Sequence, residues 1–242
     1  MFRAVVFDFD GLIMDTETPE YEAWLDTFRS YGQDLPLTLW GKGIGTDQSG
    51  FDPCQELATW IGRPLDCEAI SRGHDEVVRA RLGTKDARPG VRAYLQQARA
   101  GLLKIGLASS SHRDWVVGWL QHLGLLEFFD AVITADDVDR VKPSPAVYLA
   151  CCQKLGVEPS DALALEDSPH GAMAALCAGL TCVVVTNPMT HPLSFPAVHR
   201  KLGSMAEVPF GELLKILGVE RTRSGPLPAT YNARGRGHDA VG

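Results

Sequence analysis

Asp8 and Asp10 stand two residues apart at the end of the apolar run Ala4-Val5-Val6-Phe7, just before Gly11. On an extended chain, positions i and i+2 point to the same side, about 6.5–7 Å apart. The two carboxylates therefore share a face while Phe9 turns into the core. Such a pair can divide the work of nucleophile and proton carrier, or it can be two solvated aspartates in a turn. Glu166-Asp167 weighs against the second reading, because it closes another apolar run, Ala162-Leu163-Ala164-Leu165, in the same way. Four carboxylates on one edge repel one another unless a cation sits among them. An all-oxygen ligand set of Asp8, Asp10, Glu166 and Asp167 favours a hard ion, and Mg²⁺ is the expected cofactor.

Two further segments bring groups suited to an anion. Ser109-Ser110-Ser111 follows the run Ile105-Gly106-Leu107-Ala108 and precedes a helical stretch. Free backbone N–H groups and the helix dipole favour a phosphate there, and the hydroxyls add donors. Ser109, directly at the strand end, is the expected phosphate ligand with Ser110 beside it, whereas Ser111 reads as a plain N-cap. Lys142, in Val141-Lys142-Pro143, follows the run Ala131-Val132-Ile133-Thr134. A phosphate site crowded with carboxylates needs a fixed positive charge besides the metal.

These residues must be held by strands, and the sequence supplies them. Five short, nearly continuous apolar runs, the last being Cys182-Val183-Val184-Val185, fit strands buried on both faces. The segments between carry helix signals: Ser144-Pro145 with Gly156, and Ser168-Pro169 with Gly179. Ser111, with Gly124, brackets a further helix over His112 to Leu123. Alternation of this kind predicts an α/β fold, a doubly wound parallel sheet. From Glu17 to Lys85 the rhythm breaks into helices only, started at Thr18-Pro19, Asp52-Pro53 and Asp66. This predicts an inserted all-helical cap over residues 17–85. Residues 1–16 and 86–218 form the core, hinges lie at Asp15–Thr18 and Thr84–Gly90, and residues 219–242 form a flexible tail.

Composition narrows the partners. The chain of 242 residues is 45% hydrophobic with a formal net charge of −7, which disfavours nucleic acid and anionic membrane as partners. No apolar run is long enough for a signal peptide or a bilayer span. The six cysteines form no Cys-x-x-Cys pair and read as reduced, mostly buried side chains of a cytoplasmic protein.

Taken in order, Phe7-Asp8-Phe9-Asp10-Gly11 with Asp15-Thr16-Glu17, Leu107-Ala108-Ser109, Lys142-Pro143 and Leu165-Glu166-Asp167-Ser168 resemble the four motifs of the haloacid dehalogenase superfamily, in its branch with a helical cap. The resemblance spans about Val5 to Val185. It implies Asp8 as the nucleophile that takes a phosphoryl group, and Asp10 as the acid that protonates the leaving oxygen and then activates water. Asp8, the Asp10 carbonyl and Asp167 are implied as magnesium ligands, with Glu166 helping directly or through water. Ser109 and Lys142 are implied as phosphate ligands, and Thr16 as the residue that orients Asp10. Asp10 also separates phosphoryl chemistry from dehalogenation, since the dehalogenases of this superfamily lack that second aspartate. The implied activity is hydrolysis of a small phosphorylated metabolite. A phosphomutase of the β-phosphoglucomutase type stays open, as does a non-catalytic binding module. Glu20 stands where the mutase branch has a histidine, Thr46 where it has an arginine, and Gly73 near a cap lysine. In the cap loop Trp40–Asp47, Lys42 is the side chain expected to reach substrate. Trp24 and Trp60 read as cap core, His74 as a surface residue, and His170 as structural or exposed.

Overall fold

The computed structural model describes residues 1–44 and 51–224. Six strands form one parallel sheet in the order β3-β2-β1-β4-β5-β6: β1 (Ala4–Phe7), β2 (Lys104–Ala108), β3 (Ala131–Ile133), β4 (Ala162–Glu166), β5 (Thr181–Val185) and β6 (Arg200–Leu202). The five apolar runs are strands, as their hydrophobicity on both faces requires. Along β1, Val5 and Phe7 join one buried cluster while Ala4 and Val6 join the other. That period of two sends alternate side chains to opposite helical layers. On the first face lie α5 (Val91–Ala100), α6 (Arg113–His122) and α9 (Phe210–Ser224); on the second lie α7 (Ala146–Leu155) and α8 (Pro169–Cys177).

Two elements differ from the expectation. The strand β6 was not legible, because Arg200-Lys201-Leu202 is an edge strand with one buried side chain. At the other end, α9 runs to Ser224, into the stretch read as tail; the remainder of that stretch lies outside the described residues.

Among the described residues of 17–85 the regular elements are all helices: α1 (Glu17–Ser30), α2 (Leu37–Trp40), α3 (Pro53–Ile61) and α4 (Cys67–Leu82). Two of the three start signals act as read; Thr18-Pro19 does not, because α1 already begins at Glu17 after Thr16. Asp52 accepts hydrogen bonds from the N–H groups of Cys54 and Gln55, and Asp66 from Ala69. Trp24, Phe28, Leu35, Cys54 and Leu57 make a small core of the cap's own. Ala23, Val78 and Leu82 instead join the main cluster and tie α1 and α4 to the sheet domain. The two expected hinges touch, since Lys85 Nζ lies 3.2 Å from Asp15 Oδ2.

The reduced state expected for all six cysteines is corrected for one pair. Cys54 and Cys67, near the N-termini of α3 and α4, are joined by a disulfide. Cys151, Cys152 and Cys182 are free and buried, and Cys177 is free and exposed. Trp60 is 38% exposed and meets Phe28 only edge-on, so it caps the small core rather than filling it. His74 is the reverse case. Read as a surface side chain, it is 7% exposed and stacks on Trp24 with ring centroids 4.8 Å apart.

Candidate active site

Strand order reverses around β1, where the chain moves outward to β2 and β3 and then returns to β4 on the other side. The C-terminal edge at such a switch point is where open α/β sheets bind ligands. Asp8 follows β1 there, and its N–H donates to the Leu165 carbonyl at 3.0 Å. Ser109 follows β2, and its N–H donates to Ile133 at 3.0 Å. Glu166 ends β4, followed by Asp167. The turn that delivers Asp10 depends on Gly11, whose φ is +73°; a Cβ at that position would also strike the Asp167 carboxylate. Thr16 secures the same turn by accepting the Gly11 N–H at 3.1 Å. The hydroxyl expected to orient Asp10 thus holds the backbone after it.

Lys142 is the centre of the buried charge cluster. It is 1% exposed, and its Nζ donates to Asp8 Oδ1 at 2.5 Å and to Glu166 Oε1 at 2.6 Å. Burial alone would pull its pKa down, but Asp8 and Glu166 outweigh that and hold it above the usual lysine range. Glu166 is fully buried and fully used. Tyr148 donates to Oε1 at 2.6 Å, while the Asp167 and Ser168 N–H groups and the Ser168 hydroxyl donate to Oε2. Gly171 leaves the room for this carboxylate, since a Cβ there would overlap it.

Oxygens of Asp8, Glu166 and Asp167 lie within 4.8 Å of one another. Burial first, then the neighbouring acids Asp8, Glu166 and Glu17, push Asp167 well above the ordinary carboxylate range, against the pull of Arg88. Asp8 is raised to about 7, by burial and then by Glu166, against the opposing pull of Lys142. An acid raised in the folded state favours folding while protonated. The metal-free protein should therefore lose stability as pH climbs from about 4, the ordinary Asp value, to about 7. A divalent cation held by these carboxylates would bind their deprotonated form and reverse this. Mg²⁺ is expected to raise the melting temperature little at pH 5 and clearly at pH 8. A shift equal at both pH values would contradict a carboxylate-held ion.

Asp10 faces another way. Its Oδ2 accepts from the Ser111 hydroxyl at 2.7 Å and its Oδ1 from the Trp115 indole N–H at 2.9 Å. Among the described residues, the metal-competent group includes Asp8, Glu166 and Asp167 but not the Asp10 carboxylate. The expectation that the Asp10 carboxylate joins the ligand set is thereby corrected, because both of its oxygens are engaged on the side of α6. Ser111 is a correction, because it binds Asp10 and leaves the position before α6 to His112.

A cavity of about 800 Å³ opens between this edge and the cap. Asp8, Asp10, Thr16, Ser109, Ser110 and Lys142 reach it. Lys42 does not: it is exposed and absent from the lining, although the neighbouring Gly43 and Ile44 are present. The expectation that Lys42 reaches substrate therefore has no support in this arrangement. Thr46 and Asp47, in the same loop, lie outside the described residues. The cap wall presents three carboxylates and, from α4, the Arg79 guanidinium. Glu17 and Glu20 enter from α1 and Asp75 from α4. Burial and then Asp10 and Asp75 lift Glu20 to about 7, and its Oε2 lies 3.4 Å from His74 Nε2. Burial lowers the His74 pKa, which favours a neutral ring beside it. His170 is turned to the cap, with Nδ1 3.0 Å from the Ile44 carbonyl oxygen.

Residues the sequence did not single out complete the frame. Arg88 donates to the carbonyl oxygens of Gly11 and Thr186, the latter at 2.6 Å, and so binds the hinge to the sheet edge. Asn187 Nδ2 donates to Asp167 Oδ2 at 2.7 Å and to the Gly11 carbonyl at 3.2 Å.

A doubly wound parallel sheet, a helical insertion after the first strand, and acids and a buried lysine at the strand ends define a class of capped α/β hydrolases. The comparisons agree: the family model described as haloacid dehalogenase-like hydrolase matches residues 2–179, and the chain belongs to that family. It is 47% identical over 220 residues to YhcW of Bacillus subtilis (strain 168), whose name marks it as a candidate phosphatase, covering 91% of this chain and all of that one. Hexitol phosphatase B of Escherichia coli (strain K12) is 34% identical over 218 residues, covering 87% of this chain and 96% of that one. A crystal structure of β-phosphoglucomutase from Clostridium difficile superposes with a TM-score of 0.73 over 92% of this chain and all of that one; at 23% identity it speaks for the fold. The enzyme is thus a phosphatase-type hydrolase of this family, and no described helix is long and apolar enough to cross a membrane.

Proposed function

We propose that the chain is a Mg²⁺-dependent phosphatase of small monophosphorylated metabolites, sugar or polyol phosphates foremost, acting through an aspartyl-phosphate on Asp8. The observation that carries this reading is Asp8 held by Lys142 at 2.5 Å within a few ångströms of Asp167, at the floor of a cavity large enough for a sugar phosphate. An Asp8 oxygen attacks phosphorus, the bond to the substrate oxygen breaks, and Asp10 gives that oxygen a proton. Asp10 then takes a proton from the water that attacks the acyl phosphate, which releases phosphate and restores Asp8. Ser109 and the N–H groups beside it bind the phosphoryl oxygens, and Lys142 neutralises them.

The donor chemistry fits a hard divalent ion. Asp8, Asp167 and the Asp10 carbonyl would hold it, and bound there it would supply positive charge to the phosphoryl oxygens. With both oxygens engaged by Lys142, Tyr148 and the Asp167–Ser168 turn, Glu166 is better suited to fixing the lysine than to binding the ion directly.

The cap wall favours hydrolysis over the mutase alternative. A mutase must grip a second phosphate, yet Glu17, Glu20 and Asp75 face the cavity from the cap and the cation beside them, Arg79, lies over the Trp115 ring. Carboxylates do suit the hydroxyls of a neutral polyol, and a relative bearing the name hexitol phosphatase fits that chemistry. A panel of phosphorylated metabolites assayed by phosphate release tests the reading. Hexose and hexitol monophosphates are expected to exceed bisphosphates and phosphoglycolate in kcat/KM, with EDTA abolishing and Mg²⁺ restoring turnover. Isomerisation of β-glucose 1-phosphate without free phosphate would favour the mutase. Metal-independent turnover would remove the ion from the account.

A further inference from the structure

The Asp10 carboxylate is pinned by two donors from the start of α6. Ser111 precedes that helix and Trp115 lies in its first turns. Trp115 also touches the cap, because the Arg79 guanidinium lies over its ring, 5.3 Å from the centroid. Arg79 belongs to the last turn of α4, directly before the hinge at residues 84–90. Trp119 meets the same indole edge-on at 5.7 Å. A cap cation, an aromatic ring and the proton-carrying carboxylate therefore form one chain of contacts across the cavity.

We propose that Trp115 is a positioning residue through which the cap sets the orientation of Asp10. Terminal carboxylate torsions are broad, so an aspartate held by one oxygen can swing away from the proton's path. The indole N–H donates and never accepts, and it lies in the ring plane. The tilt of the ring therefore fixes where Oδ1 sits. A cation over the ring face is drawn to the π-cloud, so displacing α4 shifts Arg79 and with it the ring. A purely packing role needs only the ring; the N–H aimed at Asp10 is what that role leaves unexplained. This inference rests on Asp10 being the acid of the proposed function.

The test compares kcat/KM for phenyl phosphate and p-nitrophenyl phosphate, which have similar shapes but differ in how far the leaving oxygen needs a proton. Trp115→Phe keeps a ring and removes the N–H. It is expected to lower kcat/KM about tenfold on phenyl phosphate and less than about threefold on p-nitrophenyl phosphate, a part of the roughly 10²–10⁴-fold that a general acid supplies. Arg79→Gln should show the same selectivity more weakly, and the double variant should be no worse than Trp115→Phe alone. Equal losses on the two esters, or additive losses in the double variant, would overturn the proposal. Asp10→Asn, measured alongside, separates the two claims. If it too loses equally on both esters, the acid role of Asp10 falls and Trp115 falls with it. If it discriminates while Trp115→Phe does not, only the Trp115 proposal falls.

Discussion

Asp8→Asn is expected to lower turnover by about 10⁴-fold or more, in line with the loss of a covalent nucleophile elsewhere. An amide of nearly the same shape keeps the turn into Gly11 and still faces Lys142, but it has no anionic oxygen to attack phosphorus. Stability should survive better than activity. Burial and Glu166 already oppose the charge on Asp8, and Lys142 retains Glu166 as a partner. Steady-state rates on p-nitrophenyl phosphate beside thermal melts would show the two effects separately. Wild-type rates in the variant would end the nucleophile assignment.

Lys142→Met is expected to damage both activity and fold. The methionine fills a similar volume, yet Asp8 and Glu166 are left buried without the cation that joins them. Removing one partner of a buried ion pair costs about 3–5 kcal/mol. Part of that cost is escaped when a carboxyl takes up a proton, so the loss should be greater at pH 8 than at pH 5. Phosphoryl transfer should also fall by about 10²–10³-fold, the scale for removing one electrostatic group aimed at developing charge. Denaturant midpoints at the two pH values check the first effect, and kcat/KM of the folded variant checks the second. A variant as stable and as fast as the parent would show that Lys142 is neither the structural counter-ion nor a phosphate ligand.

Much of this frame was legible because its causes are local. Apolar runs such as Ala4–Phe7 become buried parallel strands by composition alone, and the polar residue ending each run falls at the sheet edge by topology. Asp52, Asp66 and Ser168 cap helices as read, because the N-cap hydrogen bond involves only the next few residues. What escaped is set by contacts across long separations. Tyr148 reaches Glu166, Asn187 reaches Asp167, and Trp115 reaches Asp10, with nothing in their spacing to announce it. Ser111 was misassigned because a hydroxyl that caps a helix and one that holds a carboxylate look alike in sequence. His74 lay in a charged stretch of α4, yet its helical face meets Trp24. Cys54 and Cys67 pair only once α3 and α4 bring their N-termini together. Lys42 shows the opposite failure, where a plausible residue type in a glycine-rich loop ends facing solvent.

Chemical trapping of the phosphorylated enzyme reaches the centre of the account. Asp10→Asn protein mixed with p-nitrophenyl phosphate and Mg²⁺, quenched in acid and reduced with borohydride, should yield homoserine at position 8 in peptide mass spectra. The yield should rise with the burst of p-nitrophenol and disappear with EDTA. A full burst with Asp8 unmodified, or with the modification on another carboxylate, would show that the phosphoryl group never passes through Asp8.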